Sequence, residues 1–335
     1  MATVNQTGSF GNSRWLRLIP LLLLTCWLGA RGLNADPIWY DEWWSIYHAG
    51  GAQYGPLSAA ETWTRVAQED PRNTPGYYFV LQAWGLFMGW TPYAGRALSL
   101  FIGVLTTAWI YRLGRDLVSS TMGLGAAVVL GTGAFFTYYL HELRGYTLYA
   151  LLTTICVWAY WSIITRKATW QAQLVLFLSV VGLLYTHYFA SLTVAAIALY
   201  HLLFAPKNRL WWRVLLLIGL GGLTFVPWLH VLSQVIGFFQ DTGASTWFAL
   251  DTRSAVQIVL FMFSNGSIAL LTFFALCGLT APRRSGVLIW FWALAALGIG
   301  LVVNHVLQVL LHVRYLMALW PVLALIVGMG TDRLA

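Results

Sequence analysis

Three short stretches and one arginine near the end of the chain hold the residues suited to acid–base or anion chemistry. Asp41 and Glu42 are adjacent carboxylates bracketed by Trp39, Tyr40, Trp43, Trp44 and Tyr47. A carboxylate placed beside a hydroxyl can take its proton, and amphipathic rings favour the headgroup layer of a membrane, which would hold these acids at its surface. On a helix two such neighbours point about 100° apart, so only one can face a given substrate squarely. The plain alternative is a pair of solvated loop charges. Arg72 precedes Asn73-Thr74-Pro75. A proline there suits a helix start, where free N–H groups and the dipole can receive a phosphate and Arg72 can add a charged donor. An ordinary capped surface helix is the competing account. Glu142 and Arg144 interrupt a long apolar region, and ionisable groups at the ends of membrane spans are functional candidates unless they only pair with each other. Arg314, beside Tyr315, is a further anion contact if it does not merely snorkel.

The elements that must position these residues follow from composition. Of 335 residues 59% are hydrophobic and 9% charged, against roughly 25% charged in soluble domains. A soluble globular protein is excluded, and the chain reads as an all-α polytopic membrane protein. Apolar runs near 16–33, 95–113, 122–140, 146–165, 171–187, 188–205, 213–232, 255–278, 287–304 and 315–331 give about ten spans, each close to the ~20 residues a crossing needs. The 14-residue stretch from Tyr77 to Trp90 decides the sidedness of everything after it. If it does not cross, twelve of the nineteen basic residues fall on one side, which the positive-inside rule makes cytoplasmic. Nine of the eleven acids then gather outside. Residues 76–91 are therefore expected to lie along the outer leaflet. Residues 34–94 become an outer loop with interfacial helices between the first span and the rest, 95–331. The expectation is a single membrane domain over 1–335 with no soluble domain, a cytoplasmic N-terminus and a place in the plasma (inner) membrane. The first run, near Arg14 and Arg17, is read as an uncleaved span because it lacks a small-x-small cleavage site.

Other signals are weak. The net charge of +8 comes from basic pairs between apolar runs and not from a patch, so no nucleic-acid partner is expected. Cys26, Cys156 and Cys277 are far apart and give no disulfide or thiolate metal pattern. Six of the seven histidines, His48, His141, His187, His230, His305 and His312, fall on or near the outer face. Without an HxxxH or HExxH spacing, a histidine metal site is not indicated. The sequon at Asn5 falls on the cytoplasmic side and the one at Asn265 inside a span, so neither is informative.

Four segments together resemble the GT-C glycosyltransferases, specifically the family of protein O-mannosyltransferases and bacterial aminoarabinose transferases (glycosyltransferase family 39-like). Tyr40-Asp41-Glu42 resembles its first-loop acidic motif. Asn73-Thr74-Pro75-Gly76-Tyr77-Tyr78 with Arg96-Ala97-Leu98-Ser99 is similar to its proline-tyrosine segment and following span. His141-Glu142-Leu143-Arg144-Gly145-Tyr146 resembles the Q-E-A-R-x-Y pattern, and Tyr185-Thr186-His187-Tyr188-Phe189 the T-H-Y-F pairing of two spans. The set covers 16 to about 205 in order, and Arg314-Tyr315 is a weaker match. A departure is the basic or histidine residue before a Pro-Pro pair, replaced here by Asn73-Thr74-Pro75 with Arg72 one step earlier.

The resemblance implies a GT-C-type bundle. It also implies transfer of a sugar from a polyprenyl-phosphate donor to a lipid, glycan or protein acceptor on the outer face. A lipid phosphate is a weakly basic leaving group, so one carboxylate base suffices for an inverting displacement; Asp41 is the choice. Arg144, Arg72 and Arg314 are candidates to hold the departing phosphate. Glu142 would orient the acceptor, fix Arg144 or bind a divalent cation, the one cofactor in view. Tyr77 and Tyr78 would line the groove for the prenyl chain, with His187 beside the site. Two other classes stay open: a non-catalytic subunit of a membrane complex, and a lipid or solute transporter. The outer clustering of acids and the missing repeat speak against the transporter.

Overall fold

The computed structural model describes residues 12–165, 168–242, 250–279, 283–307 and 312–335. Asn5, of the first sequon, and Arg166 and Lys167, two of the twelve basic residues on the cytoplasmic side of the expected topology, lie outside the described residues. Among those described there are helices and no strands. In chain order they are α1 (Asn12–Ala30), α2 (Tyr40–His48), α3 (Ala59–Glu69), α4 (Gly76–Met88), α5 (Pro92–Leu117), α6 (Ser120–Thr132), α7 (Ala134–Leu140) and α8 (Tyr146–Thr165). The second half continues with α9 (Trp170–Thr186), α10 (Ser191–Phe204), α11 (Arg209–Leu223), α12 (Val226–Thr242), α13 (Thr252–Phe263), α14 (Ile268–Gly278), α15 (Arg283–Leu307) and α16 (Leu319–Leu334).

Among the described residues three helices, within α5, α8 and α15, are each long and apolar enough to cross a membrane unaided. Three of the expected spans are not straight. The run 122–140 is α6 and α7 bent by 63°, 213–232 is α11 and α12 bent by 59°, and 255–278 is α13 and α14 bent by 87°. Each break has a local cause. Gly133 takes φ −65° and ψ 127° and serves both as the end of α6 and the start of α7. Pro227 has no N–H for the helix before it and suits only the first turn of α12. Asn265 and Gly266 sit at φ 49° and 85°, the left-handed region that stops a helix. The Asn265 sequon is therefore in a turn between two helices and not inside a continuous span.

Close helix contacts rely on small residues, as membrane bundles do. α16 runs between α6 and α14, and a Cβ on Gly330 would stand 2.3 Å from the Phe274 carbonyl oxygen. On Gly328 it would stand 2.6 Å from that of Met122. One apolar core joins α5, α6, α8 and α16; a second, with Tyr77, Tyr78, Leu81, Leu98 and Trp228, lies beneath α2 to α4.

The segment 34–94 is built mostly of helices. α3 starts on a reciprocal cap, in which Ser58 Oγ accepts from the Glu61 N–H at 3.2 Å and Glu61 Oε2 accepts from the Ser58 N–H at 2.7 Å. α4 has 13 residues, short of a crossing, and its far end exposes Leu86, Phe87 and Met88. Its start is not the open anion site anticipated. A Cβ on Gly76 would stand 2.5 Å from the Tyr185 carbonyl oxygen, so the helix end abuts the end of α9.

Candidate active site

The two adjacent acids of α2 diverge as the helix period requires. Glu42 is 1% exposed and is gripped by Arg96, with Nε 2.8 Å from Oε1 and Nη2 2.6 Å from Oε2. The Leu143 N–H donates to Oε1 at 2.9 Å. The remaining N–H groups of Arg96 go to the carbonyls of Leu33, Asp36 and Pro37, at 3.2, 2.8 and 3.1 Å. This one buried pair therefore fastens α2, the link from α1, α5 and the 141–145 turn together. Glu42, expected among the catalytic acids, does not line the cavity described below; its oxygens are taken up by a clamp.

Asp41 faces the other way. Arg314 Nη2 lies 2.9 Å from its Oδ2, and the two side chains keep 16% and 21% of their exposure. The Arg314 guanidinium also stands over the rings of Trp39 and Tyr146, 5.7 and 5.4 Å from their centroids. Arg144 approaches from beneath. Its Nη1 donates to the Asp41 carbonyl at 3.1 Å and to Ser45 Oγ at 3.4 Å, and its Nη2 to Asn73 Oδ1 at 3.2 Å. Surrounding tyrosines and the charges of Asp41 and Asp70 outweigh burial and raise its pKa, so Arg144 stays cationic.

His187 follows α9 and opens a short 3-10 turn, Tyr188–Ala190. Its Nδ1 accepts from the Phe189 N–H at 3.1 Å, which leaves the ring proton on Nε2. Burial, with Arg144 and Arg314 nearby, pulls its pKa down to about 3, so this is a neutral donor. His312 caps the turn that carries Arg314 in the same way, its Nδ1 accepting from the Arg314 N–H at 3.1 Å. The two turns meet through the rings of His187 and Tyr315, 5.1 Å apart.

These groups open on a cavity of about 600 Å³. Its polar end holds Asp41, Arg144, Arg314 and His187, with Tyr40 and Trp44 as aromatic walls and Arg72, Asp70 and Asn73 along one side. The rest is apolar, walled by residues such as Leu192, Leu229, Val235 and Val303 from α10, α12 and α15.

Not every expected residue joins it. Glu142 is 5% exposed and lines neither this cavity nor the small one beside it. Burial pushes its pKa up to about 7 against the opposing pull of Arg314, Tyr138 and Arg144. The Ser99 hydroxyl donates to its backbone carbonyl at 2.5 Å, fixing the turn. Tyr77 and Tyr78 are 4% and 2% exposed and belong to the second core. They border only the small cavity, so they do not form the apolar groove as anticipated. Arg72 lies at the rim, its side chain 61% exposed and 3.6 Å from Asp70. Among the described residues no three His, Cys, Asp or Glu side chains gather as metal ligands. With Asp41 held by Arg314 and Glu42 by Arg96, these acids do not fit a cation nest made by the protein alone. Arg96 and Asn73 were legible only as members of motifs. Nothing in the spacing marks a buried guanidinium clamp or an amide lying against an arginine.

No protein-family model matches the chain, and no curated protein matches it in sequence. Solved structures do match. ArnT from Cupriavidus metallidurans, bound to undecaprenyl phosphate, superposes with a TM-score of 0.68 at 14% identity, over 95% of this chain and 60% of ArnT. Its apo state gives 0.67 at 13% identity, over 97% and 61%. The Archaeoglobus fulgidus oligosaccharyltransferase tethered to an acceptor peptide gives 0.52 at 13%, over 93% and 49%. At these identities the likeness establishes the fold, an all-α polytopic membrane fold of the GT-C type. The chain is an integral membrane protein with that fold and spans about 60% of the length of the ArnT chains it matches.

Proposed function

We propose that the protein is a membrane glycosyltransferase that moves a sugar from a polyprenyl-phosphate donor to an acceptor hydroxyl, with inversion, on the outer face of the inner (plasma) membrane. The observation that carries this reading is one cavity that is cationic around a carboxylate at one end and apolar along the other. A phosphate with a prenyl tail has the same two-part chemistry. The bound undecaprenyl phosphate of the ArnT structure supports the same ligand class.

In this reading the lipid lies among α10, α12 and α15, and its phosphate meets Arg144, Arg314 and the Nε2–H of His187. The acceptor hydroxyl attacks the anomeric carbon from the side away from the phosphate. Asp41 takes the hydroxyl proton as the new C–O bond forms. The bond from the anomeric carbon to the phosphate oxygen breaks with its electron pair on that oxygen, and the released phosphate gains negative charge. Fixed guanidinium groups in a partly enclosed site favour that gain, which is where electrostatic catalysis acts. Glu42 acts through position alone, and so do Tyr77 and Tyr78. Arg72, at the rim, meets the incoming headgroup. The N-terminus is cytoplasmic, and α4 rests in the outer leaflet through Leu86, Phe87 and Met88. The acceptor, whether lipid, glycan or protein, enters past Tyr40 and Trp44.

The test is transfer by the purified chain from a polyprenyl-phosphate-linked sugar, with the anomeric configuration of donor and product read by NMR. Transfer with inverted configuration is expected. A retained configuration contradicts the single displacement, and no transfer from any such donor contradicts the enzyme.

A further inference from the structure

The side chain of Asn73 lies between a carboxylate and an arginine, with both ends of its amide in use. Its Nδ2 donates to Asp70 Oδ2 at 2.6 Å, and its Oδ1 accepts from Arg144 Nη2 at 3.2 Å. Asp70 thereby fixes which way the amide points. With the nitrogen held by Asp70, the oxygen must face Arg144, and a flipped amide would set N–H against N–H. Asp70 is itself held on several sides. It is 5% exposed, His48 Nε2 lies 3.5 Å from Oδ2, and Arg72 Nε lies 3.6 Å from Oδ1. Burial pushes its pKa up, but His48 and the Asn73 hydrogen bond outweigh it, and the carboxyl stays below its ordinary value. The backbone of this segment is fixed as well, because the Tyr188 hydroxyl donates to the Pro71 carbonyl at 2.7 Å and receives the Trp228 indole N–H at 2.9 Å. His48 is fully buried and stacks on Trp44, 5.0 Å between centroids.

We propose that Asp70 and Asn73 are positioning residues that aim the Arg144 guanidinium at the phosphate of a polyprenyl-phosphate ligand, Asp70 acting through Asn73. This rests on the function proposed above and adds the source of Arg144's orientation. Ser45 and the Asp41 carbonyl hold Nη1 of that guanidinium, and Asn73 holds Nη2. A planar group pinned at both terminal nitrogens has a fixed orientation, and a planar fork aimed in advance at an anion loses less freedom on binding. Asp70 does not hold the phosphate itself: it is a carboxylate, and its Oδ1 is buried.

The sign of one substitution separates this relay from simple electrostatics. Asp70→Asn removes a negative charge beside an anion site, and charge alone predicts tighter phosphate binding. The relay predicts weaker binding, because Asn73 is freed to flip. The measurement is binding of undecaprenyl phosphate to the full chain in detergent micelles, for wild type, Asn73→Ala, Asp70→Asn and the double variant, with melting temperatures as the check on folding. Asn73→Ala is expected to weaken binding roughly tenfold, the scale of one hydrogen bond to a charged group. Asp70→Asn should weaken it several-fold, and the double variant should bind no worse than Asn73→Ala alone. Wild-type binding that Asp70→Asn leaves unchanged or tightens overturns the relay and leaves the functional reading standing; so do additive losses in the double variant. Absence of binding by the wild-type chain overturns both.

Discussion

Arg314 Nη2 lies 2.9 Å from Asp41 Oδ2, joining residues 273 positions apart in the chain. Among the described residues, the charged side chain paired with the proposed base is thus a residue proposed to hold the leaving group. In the proposed reaction an arriving phosphate would give Arg314 a second anion to serve and leave Asp41 free to accept a proton from the acceptor. Arg314→Gln is expected to lower kcat/KM for a polyprenyl-phosphate donor at least tenfold. It should cost only about 1 kcal/mol or less in stability, because both partners are partly solvated. Donor kinetics and melting on the same preparations check this; unchanged kinetics would remove Arg314 from the site.

The clamp between Glu42 and Arg96 is expected to behave oppositely. Truncating one member of a buried pair strands the other, at about 3–5 kcal/mol, whereas replacing both by apolar groups of similar size can be neutral. Arg96→Met alone should therefore lower the melting temperature sharply, and Glu42→Leu with Arg96→Met should recover most of it. A double variant as unstable as the single one would show that the pair is more than a clamp.

Glu142 makes stability depend on pH in a stated direction. Its pKa of about 7 in the fold stands above the ordinary 4.5, so the folded chain holds this proton more tightly than the unfolded chain does. The contribution is fully present below about pH 4.5 and is lost as pH rises through about 7. Glu142→Gln should abolish that part of the dependence and leave the variant more stable than wild type at pH 8. Melting curves between pH 5 and 8 decide it; parallel profiles for the two proteins would contradict the burial argument.

His187 is expected to act as a neutral donor and a turn cap. His187→Ala should weaken undecaprenyl phosphate binding roughly tenfold by removing a donor to a charged group. It should also cost about 1 kcal/mol by uncapping the Phe189 N–H. His187→Asn keeps an oxygen for the cap and an amide donor, and should recover part of both. Binding that changes steeply between pH 6 and 7 in wild type but not in His187→Ala would show that the ring titrates there, against its depressed pKa.

Much of this site was legible because its residues are chemically conspicuous where they stand. Asp41, Arg144 and Arg314 are charges in an apolar chain, and a charge at a span end needs a reason. The long apolar runs likewise marked where helices form, since a backbone in lipid must satisfy its own hydrogen bonds, although among the described residues three helices are long enough to cross unaided and three bent pairs make up further spans. What was not legible were relations between residues. Glu42 and Asp41 look alike in sequence, and only the helix rotation and Arg96, 54 positions on, separate the clamp from the proposed base. Tyr77 and Tyr78 carry the same amphipathic signal whether they line a groove or fill a core, and packing against Leu81 and Leu98 decided for the core. The bends near Gly133, Pro227 and Asn265 are written in local backbone chemistry, yet hydropathy averages over them.

Asp41 as the base that takes the acceptor's proton is the central claim. Its most direct test is the single-turnover rate of sugar transfer by purified wild type and Asp41→Asn, each saturated with the same polyprenyl-phosphate-linked sugar and matched for melting temperature. Removing a general base is expected to slow the step by about 10²–10⁴-fold. Donor binding should be unchanged or tighter, because Arg314 is released to the phosphate. An Asp41→Asn protein that transfers sugar at the wild-type rate would contradict the account.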